Sequence, residues 1–270
     1  MKTIHLFPDG AGLQYLQSLY LRRSTMTLIP NIAIINEQGE LLFETNTLGL
    51  RGPEPQPGEC FGIVWGASDV FSMQHCTSWP ELIDDGTLGC RFLNGGVEGS
   101  NYRQILKRAL DTNRNHPAAL NVIFLGWNDF PDNHAVQFDL ENALGELPNA
   151  VLVTQPTSLN ATIANQDIRA HFRAQLGPEH YGFWADYTYS VELQHAFYVH
   201  ITQRNEIVRA VATRTDTPLI DLFAILDSSR LDDFRKYFFD VGHPRPAMYP
   251  TIAGIVREAV RPLLLAASAA

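Results

Sequence analysis

Phe61-Gly62-Ile63-Val64-Trp65-Gly66 is an apolar run that breaks abruptly into Ala67-Ser68-Asp69. A continuous apolar run this short, closed by a glycine, reads as a buried strand. Ser68 then falls at a strand-to-helix corner, where its hydroxyl can project above the sheet beside the N-terminus of the next helix. That is a position suited to a nucleophile. A serine there is more often an N-cap, which satisfies free backbone N–H groups at a helix start, so this segment alone favours capping and leaves the catalytic role open.

Further along the chain the pattern recurs in Cys90 to Gly96 (CRFLNGG), Leu120 to Gly126 (LNVIFLG), Ala150 to Pro156 (AVLVTQP) and Thr217 to Phe223 (TPLIDLF). Helical patterns lie between and after them. One runs from Tyr102 to Asn113 with Ile105, Leu106, Ala109 and Leu110 on one face, another from about Ser190 to Arg214, and a last from Met248 to Leu265. Strands alternating with helices predict an α/β chain, a three-layer α/β/α sandwich around a mainly parallel five-stranded sheet. Most of the runs lead into loops bearing Gly, Ser, Asn or Pro, at the carboxyl ends of strands where open α/β sheets place their sites.

Residues 1–58 read as an N-terminal appendage and connector. Thr27 to Ile35 and Glu40 to Thr45 favour strands, and Asn36-Glu37-Gln38-Gly39 between them suits a hairpin turn. Arg51 to Glu59 holds three prolines and two glycines and reads as an irregular connector. Residues 59–270 form the main domain. It carries an aromatic-rich insertion at about 156–190, with His171, Phe172, His180, Tyr181, Phe183, Trp184, Tyr187 and Tyr189, too long for an ordinary connection.

Composition narrows the function classes. With 45% hydrophobic residues over 270 positions the chain can bury a full core. Its 29 acidic against 20 basic residues give a formal charge of -9, the wrong sign for holding phosphate backbones or anionic lipid, so nucleic acid and membrane are not expected partners. The start, MKTIHLFPDGAG, lacks the apolar core of a signal peptide, and no stretch approaches the roughly 18 apolar residues of a membrane span. Cys60, Cys76 and Cys90 form no CxxC pair and read as free thiols. The expectation is a cytoplasmic protein without a metal site, since His75 beside Cys76 has no second ligand cluster and there is no HExxH.

Three more loops carry chemistry. Asn94-Gly95-Gly96-Val97-Glu98-Gly99-Ser100-Asn101 keeps its backbone slim, so that N–H groups can face an anion. Gly126-Trp127-Asn128-Asp129 offers an Asn128 amide as a donor to a developing oxyanion, or simply a turn-forming pair. In Asp240-Val241-Gly242-His243-Pro244 the acid and the histidine stand three positions apart. At that spacing the Asp240 carboxylate can reach the Nδ1 side of His243, fixing its tautomer and leaving Nε2 for a serine.

In this order, Ser68, Gly99, Asn128 of GxND, and the Asp240/His243 DxxH pair resemble the SGNH, or GDSL-type, serine hydrolases. The resemblance covers roughly residues 46–265. Asn46-Thr47-Leu48-Gly49-Leu50-Arg51-Gly52 also looks like the N-x-x-G-F-R-G lead-in of some bacterial members, with Leu50 in place of the aromatic. One departure is Gly66-Ala67-Ser68 where the name motif has GDS; Asp69 follows the serine. The α/β-hydrolase G-x-S-x-G pattern fits less well, because Val70 stands at its last position.

The resemblance implies a flavodoxin-like fold and an ester-cleaving serine enzyme that needs no cofactor. It places Ser68 as nucleophile, His243 as base, Asp240 as orienting acid, and Ser68, Gly99 and Asn128 as the oxyanion hole. The expected partner is a small-molecule ester, an O-acetyl group on a carbohydrate or specialised metabolite among the options. Trp127, Tyr181 and Trp184 are candidates for contact with it, since aromatic rings offer broad apolar faces with polar edges. An acyltransferase using the same acyl-enzyme and a non-catalytic binding module on the same fold are the alternatives.

Overall fold

The computed structural model describes residues 2–5, 21–22, 26–36, 38–72, 77–160, 191–227, 236–238 and 241–269. In the N-terminal part, β1 (Lys2–His5) pairs in parallel with β4 (Ile32–Ile35), which pairs antiparallel with β5 (Leu41–Glu44); β2 (Leu21–Arg22) and β3 (Thr27–Leu28) form a separate antiparallel pair. The hairpin expected around Asn36 to Gly39 is therefore present as β4 and β5. Thr27 to Ile35 is not one strand, however. Pro30 has no N–H to give a ladder and Asn31 takes a left-handed turn conformation at φ 57°, so the run splits between two sheets.

The main sheet contains β6 (Phe61–Gly66), β7 (Arg91–Gly96), β8 (Leu120–Phe124), β9 (Ala150–Val153) and β10 (Leu219–Ile220), all parallel, in the spatial order β7-β6-β8-β9-β10. Alternate side chains leave opposite faces. Val64, Val122, Phe124, Val151 and Val153 meet the C-terminal helix through Ile252, Ala253, Val256 and Val260. Ile63, Trp65, Ile123 and Leu152 meet the opposite layer through Ile105, Ala109, Leu140, Val208 and Val211. Burial on both faces is why these strands read as unbroken apolar runs.

Among the described residues the α-helices are α1 (Ser68–Phe71), α2 (Tyr102–Asn115), α3 (Val136–Glu146), α4 (Val191–Thr215), α5 (Leu222–Ile225) and α6 (Tyr249–Ala269). Asn101 caps α2, accepting from the Gln104 N–H, while the Gln104 side chain accepts from the Asn101 N–H. Of the expected strand from Thr217 to Phe223 only Leu219 and Ile220 pair, because the Asp221 side chain accepts from the Ala224 N–H and starts α5.

The N-terminal strands pack on the main domain. Leu28, Ile32, Ile34 and Phe43 share one apolar cluster with Phe71 and Val97, residues just beyond the ends of β6 and β7. The insertion expected at about 156–190 lies, from residue 161 onward, outside the described residues.

Candidate active site

In the order β7-β6-β8-β9-β10 the chain moves outward to one side after β6 and to the other after β8. Adjacent strands whose connections diverge leave a crevice at their carboxyl ends. Ser68 follows β6 and Asn128 follows β8, so both border that crevice.

Ser68 does not cap its helix. The N-cap of α1 is Ala67, and the Ser68 Oγ instead lies 2.7 Å from His243 Nε2, across 175 residues of sequence. A four-residue helix is too short to hold itself, and its fixation comes from outside. The buried Arg51 Nη1 donates to the carbonyls of Phe71 and Ser72 at 3.0 Å each, and Asn94 Nδ2 donates to the Val70 carbonyl at 2.8 Å. Trp79 Nε1 donates to the Asp69 carbonyl at 3.0 Å. Gly96 allows the close approach of helix and strand, since a Cβ there would come within 2.4 Å of the Phe71 nitrogen.

His243 sits on a loop closed by pairing of Phe238 with Pro244. The Val241 carbonyl accepts from the Ser158 N–H at 3.1 Å and from the Thr157 hydroxyl. Trp127 braces the imidazole edge-on, with ring centroids 5.2 Å apart, and only 8% of this residue is exposed. Gly242 leaves room for the indole, because a Cβ there would come within 2.1 Å of it. Trp127, a candidate for substrate contact, packs against both His243 and Phe197. Asp240, Tyr181 and Trp184 lie outside the described residues.

Gly99 has φ 74°, a conformation that favours glycine, and is exposed in the loop between β7 and α2. In that loop the Ser100 carbonyl accepts from Asn128 Nδ2 at 3.0 Å, which ties the two loops together. Arg108 extends the tie, donating to Ser100 Oγ at 2.9 Å, to the Gly66 carbonyl at 3.0 Å and to the Met26 carbonyl at 3.1 Å. Ser68, Gly99, Asn128 and His243 therefore come from loops that are directly linked or share contacts.

Two further groups set the local electrostatics. Asp69 is 5% exposed; its Oδ1 accepts from the Ala67 N–H at 3.2 Å, while Oδ2 has no hydrogen-bond partner among the described residues. Burial pushes its carboxyl above the usual range, with the charge of His243 pulling the other way. His200 packs edge-on against Phe130, and burial followed by the charge of Arg204 pushes it down to about 4. No cluster of metal-ligating side chains occurs among the described residues, and no helix there is long and apolar enough to cross a membrane. Cys60 and Cys90 are free thiols.

Arg51, Arg108 and Arg204 are the parts that local reading misses as site residues. Arg51 lies in the lead-in motif, which offers a signal of sorts. Arg108 and Arg204 sit on helices whose pattern announces only a face, and their partners are distant in sequence.

No family model matches the sequence, and no curated protein matches it. Solved structures do match in fold. The lipase/acylhydrolase from Enterococcus faecalis superposes with a TM-score of 0.53 at 16% identity, covering 76% of this chain and 96% of that one. A GDSL-like lipase from Bacteroides thetaiotaomicron gives 0.53 at 16% identity over 78% and 93% of the two chains. A catalytic mutant of an acetylxylan esterase from Geobacillus stearothermophilus gives 0.51 at 13% identity over 77% and 94%. With its parallel five-stranded sheet flanked by helices on both faces, the chain has the SGNH/GDSL hydrolase fold.

Proposed function

We propose that this protein is a serine ester hydrolase in which Ser68 attacks the acyl carbon and His243 carries the proton. The observation that supports it most is the 2.7 Å contact between Ser68 Oγ and His243 Nε2 at the crevice of the sheet. A serine used only as a helix cap has no call for a histidine at hydrogen-bonding distance.

In this reading His243 Nε2 takes the hydroxyl proton as Oγ bonds to the carbonyl carbon. The oxygen that gains charge is held by the Ser68 and Gly99 N–H groups and the Asn128 side-chain amide. Collapse breaks the ester bond, and the departing alkoxide receives the proton from His243. Water then attacks the acyl-enzyme, again losing its proton to His243, and Ser68 is regenerated with release of the acid. In the same reading Asp240 is assigned as the carboxylate that orients His243 and steadies the imidazolium, as the family resemblance implies.

The substrate class follows less from the site than from company. The acetylxylan esterase among the fold neighbours makes O-acetyl groups on carbohydrates a reasonable first choice beside small acyl esters. Wild type and Ser68→Ala are to be compared on a panel of acyl esters and acetylated sugars, with a fluorophosphonate as covalent probe. Ser68→Ala should lose at least about a thousandfold in turnover and all labelling. Undiminished turnover in the variant would sink the proposal, and a competing alcohol in the same assay separates hydrolysis from acyl transfer.

A further inference from the structure

Asn128 is anchored from two sides, and the second anchor is a single buried guanidinium. Arg204, on α4, has 2% of its side chain exposed and lies 75 positions from Asp129 in sequence. Its Nη2 donates to Asp129 Oδ2 at 2.5 Å and to the Asp132 carbonyl at 3.1 Å. Nε donates to Asn133 Oδ1 at 2.6 Å, and Nη1 reaches the Gly126 carbonyl at 3.3 Å. The plane of the group lies over the Tyr102 ring, 5.2 Å from its centroid. One side chain therefore grips the loop on both sides of Asn128, while the Asn128 amide itself is tied to the Ser100 carbonyl.

Stability alone is a weak reason for such an arrangement. Burying a charged pair costs desolvation, and a well-packed apolar pair of the same volume often serves a fold as well. What an apolar pair lacks is direction. The rigid fork of arginine satisfies two carbonyls and two side chains at set angles, which lysine, a point charge with a flexible stem, does not reproduce.

We propose that Arg204 is a positioning residue: by holding the loop from Gly126 to Asn133 it keeps the Asn128 amide aimed at the oxyanion site. This inference rests on the ester-hydrolase reading above. Because Arg204 acts through Asn128, its contribution to turnover should vanish when the Asn128 amide is gone.

The test is a double-mutant cycle of Arg204→Lys and Asn128→Ala, with kcat, KM and the rate of fluorophosphonate labelling measured on the full chain. Arg204→Lys should lower kcat by about tenfold or more with KM within about twofold. In the Asn128→Ala background the same change should cost less than about twofold, and labelling rates should follow the same pattern. Equal losses in both backgrounds, or an unaltered kcat in Arg204→Lys, would overturn the assignment. Should Arg204→Lys fail to fold, Asp129→Asn keeps the volume and an acceptor and enters the same cycle under the same criteria. Ser68→Ala runs alongside. Retained turnover there takes both the hydrolase reading and this inference down, whereas its loss together with an additive cycle removes only the role of Arg204.

Discussion

The indole of Trp127 meets the imidazole of His243 edge-on, 5.2 Å between ring centroids, and the glycine before the histidine is what lets it do so. The base that faces Ser68 is thereby held in place by the chain neighbour of Asn128, the proposed oxyanion donor. Packing, and not only hydrogen bonding, couples the loops of the crevice.

Gly242→Ala should break that packing. Its methyl group would overlap the Trp127 ring, so either the ring or the His243 loop must move. Overpacking of this kind costs about 1–3 kcal/mol in stability. The expected result is a folded protein with a lowered unfolding midpoint, altered tryptophan fluorescence and a much slower reaction of Ser68 with fluorophosphonate. Wild-type labelling kinetics would show that the contact does not matter to the site.

Arg51→Met should uncouple the nucleophile helix. It leaves the Ser72 carbonyl without its guanidinium donor, removes one of the donors to the Phe71 carbonyl, which keeps Asn94 Nδ2 at 3.3 Å, and removes an ion-pair partner of Glu81, 3.5 Å away. An unsatisfied buried acceptor costs about 1–3 kcal/mol, so the denaturant midpoint should fall clearly. A midpoint within error of wild type would contradict this account of how α1 is held.

Asp69 offers a pH test. Its folded-state pKa is raised by burial, so its contribution to stability is fully present below the unfolded value near 3.8 and is lost as pH rises through the folded value. Asp69→Asn removes the buried charge that builds up at higher pH. It should therefore raise the unfolding temperature at pH 8, with the gain shrinking as pH falls towards 4. A variant that is destabilised at pH 8 would count against it.

His200 behaves in the opposite sense. Held at about 4 in the folded protein against 6.5 as its ordinary value, it stays neutral where the unfolded chain is protonated. Stability should fall as pH drops from 6.5 towards 4, with uptake of about one proton on unfolding in mid-interval from this residue. His200→Leu should flatten that part of the stability curve, as read by denaturant titrations at pH 4.5, 5.5 and 6.5. An identical slope in the variant would rule His200 out as its source.

The sequence by itself determined the pieces whose signals are local. β6 matches its apolar run from Phe61 to Gly66 in full, and α2 and α4 lie within a few residues of where periodicity puts them, because burial on two faces or one is written into neighbouring residues. The loops that carry Ser68, Asn128 and His243 and the glycine-rich loop after β7 are legible for the same reason, since small or turn-forming residues mark them, while Gly99 within its loop is singled out by the family resemblance. Tertiary structure alone decided that β6 and β8 lie side by side, that β1 joins β4, and that Thr27 to Ile35 divides between two sheets. It alone brought Ser68 Oγ to His243 and placed Arg51, Arg108 and Arg204 among the carbonyls they hold. Periodicity records which face of an element is buried, whereas the partner of a buried donor is supplied by whichever distant segment the folded core delivers to it.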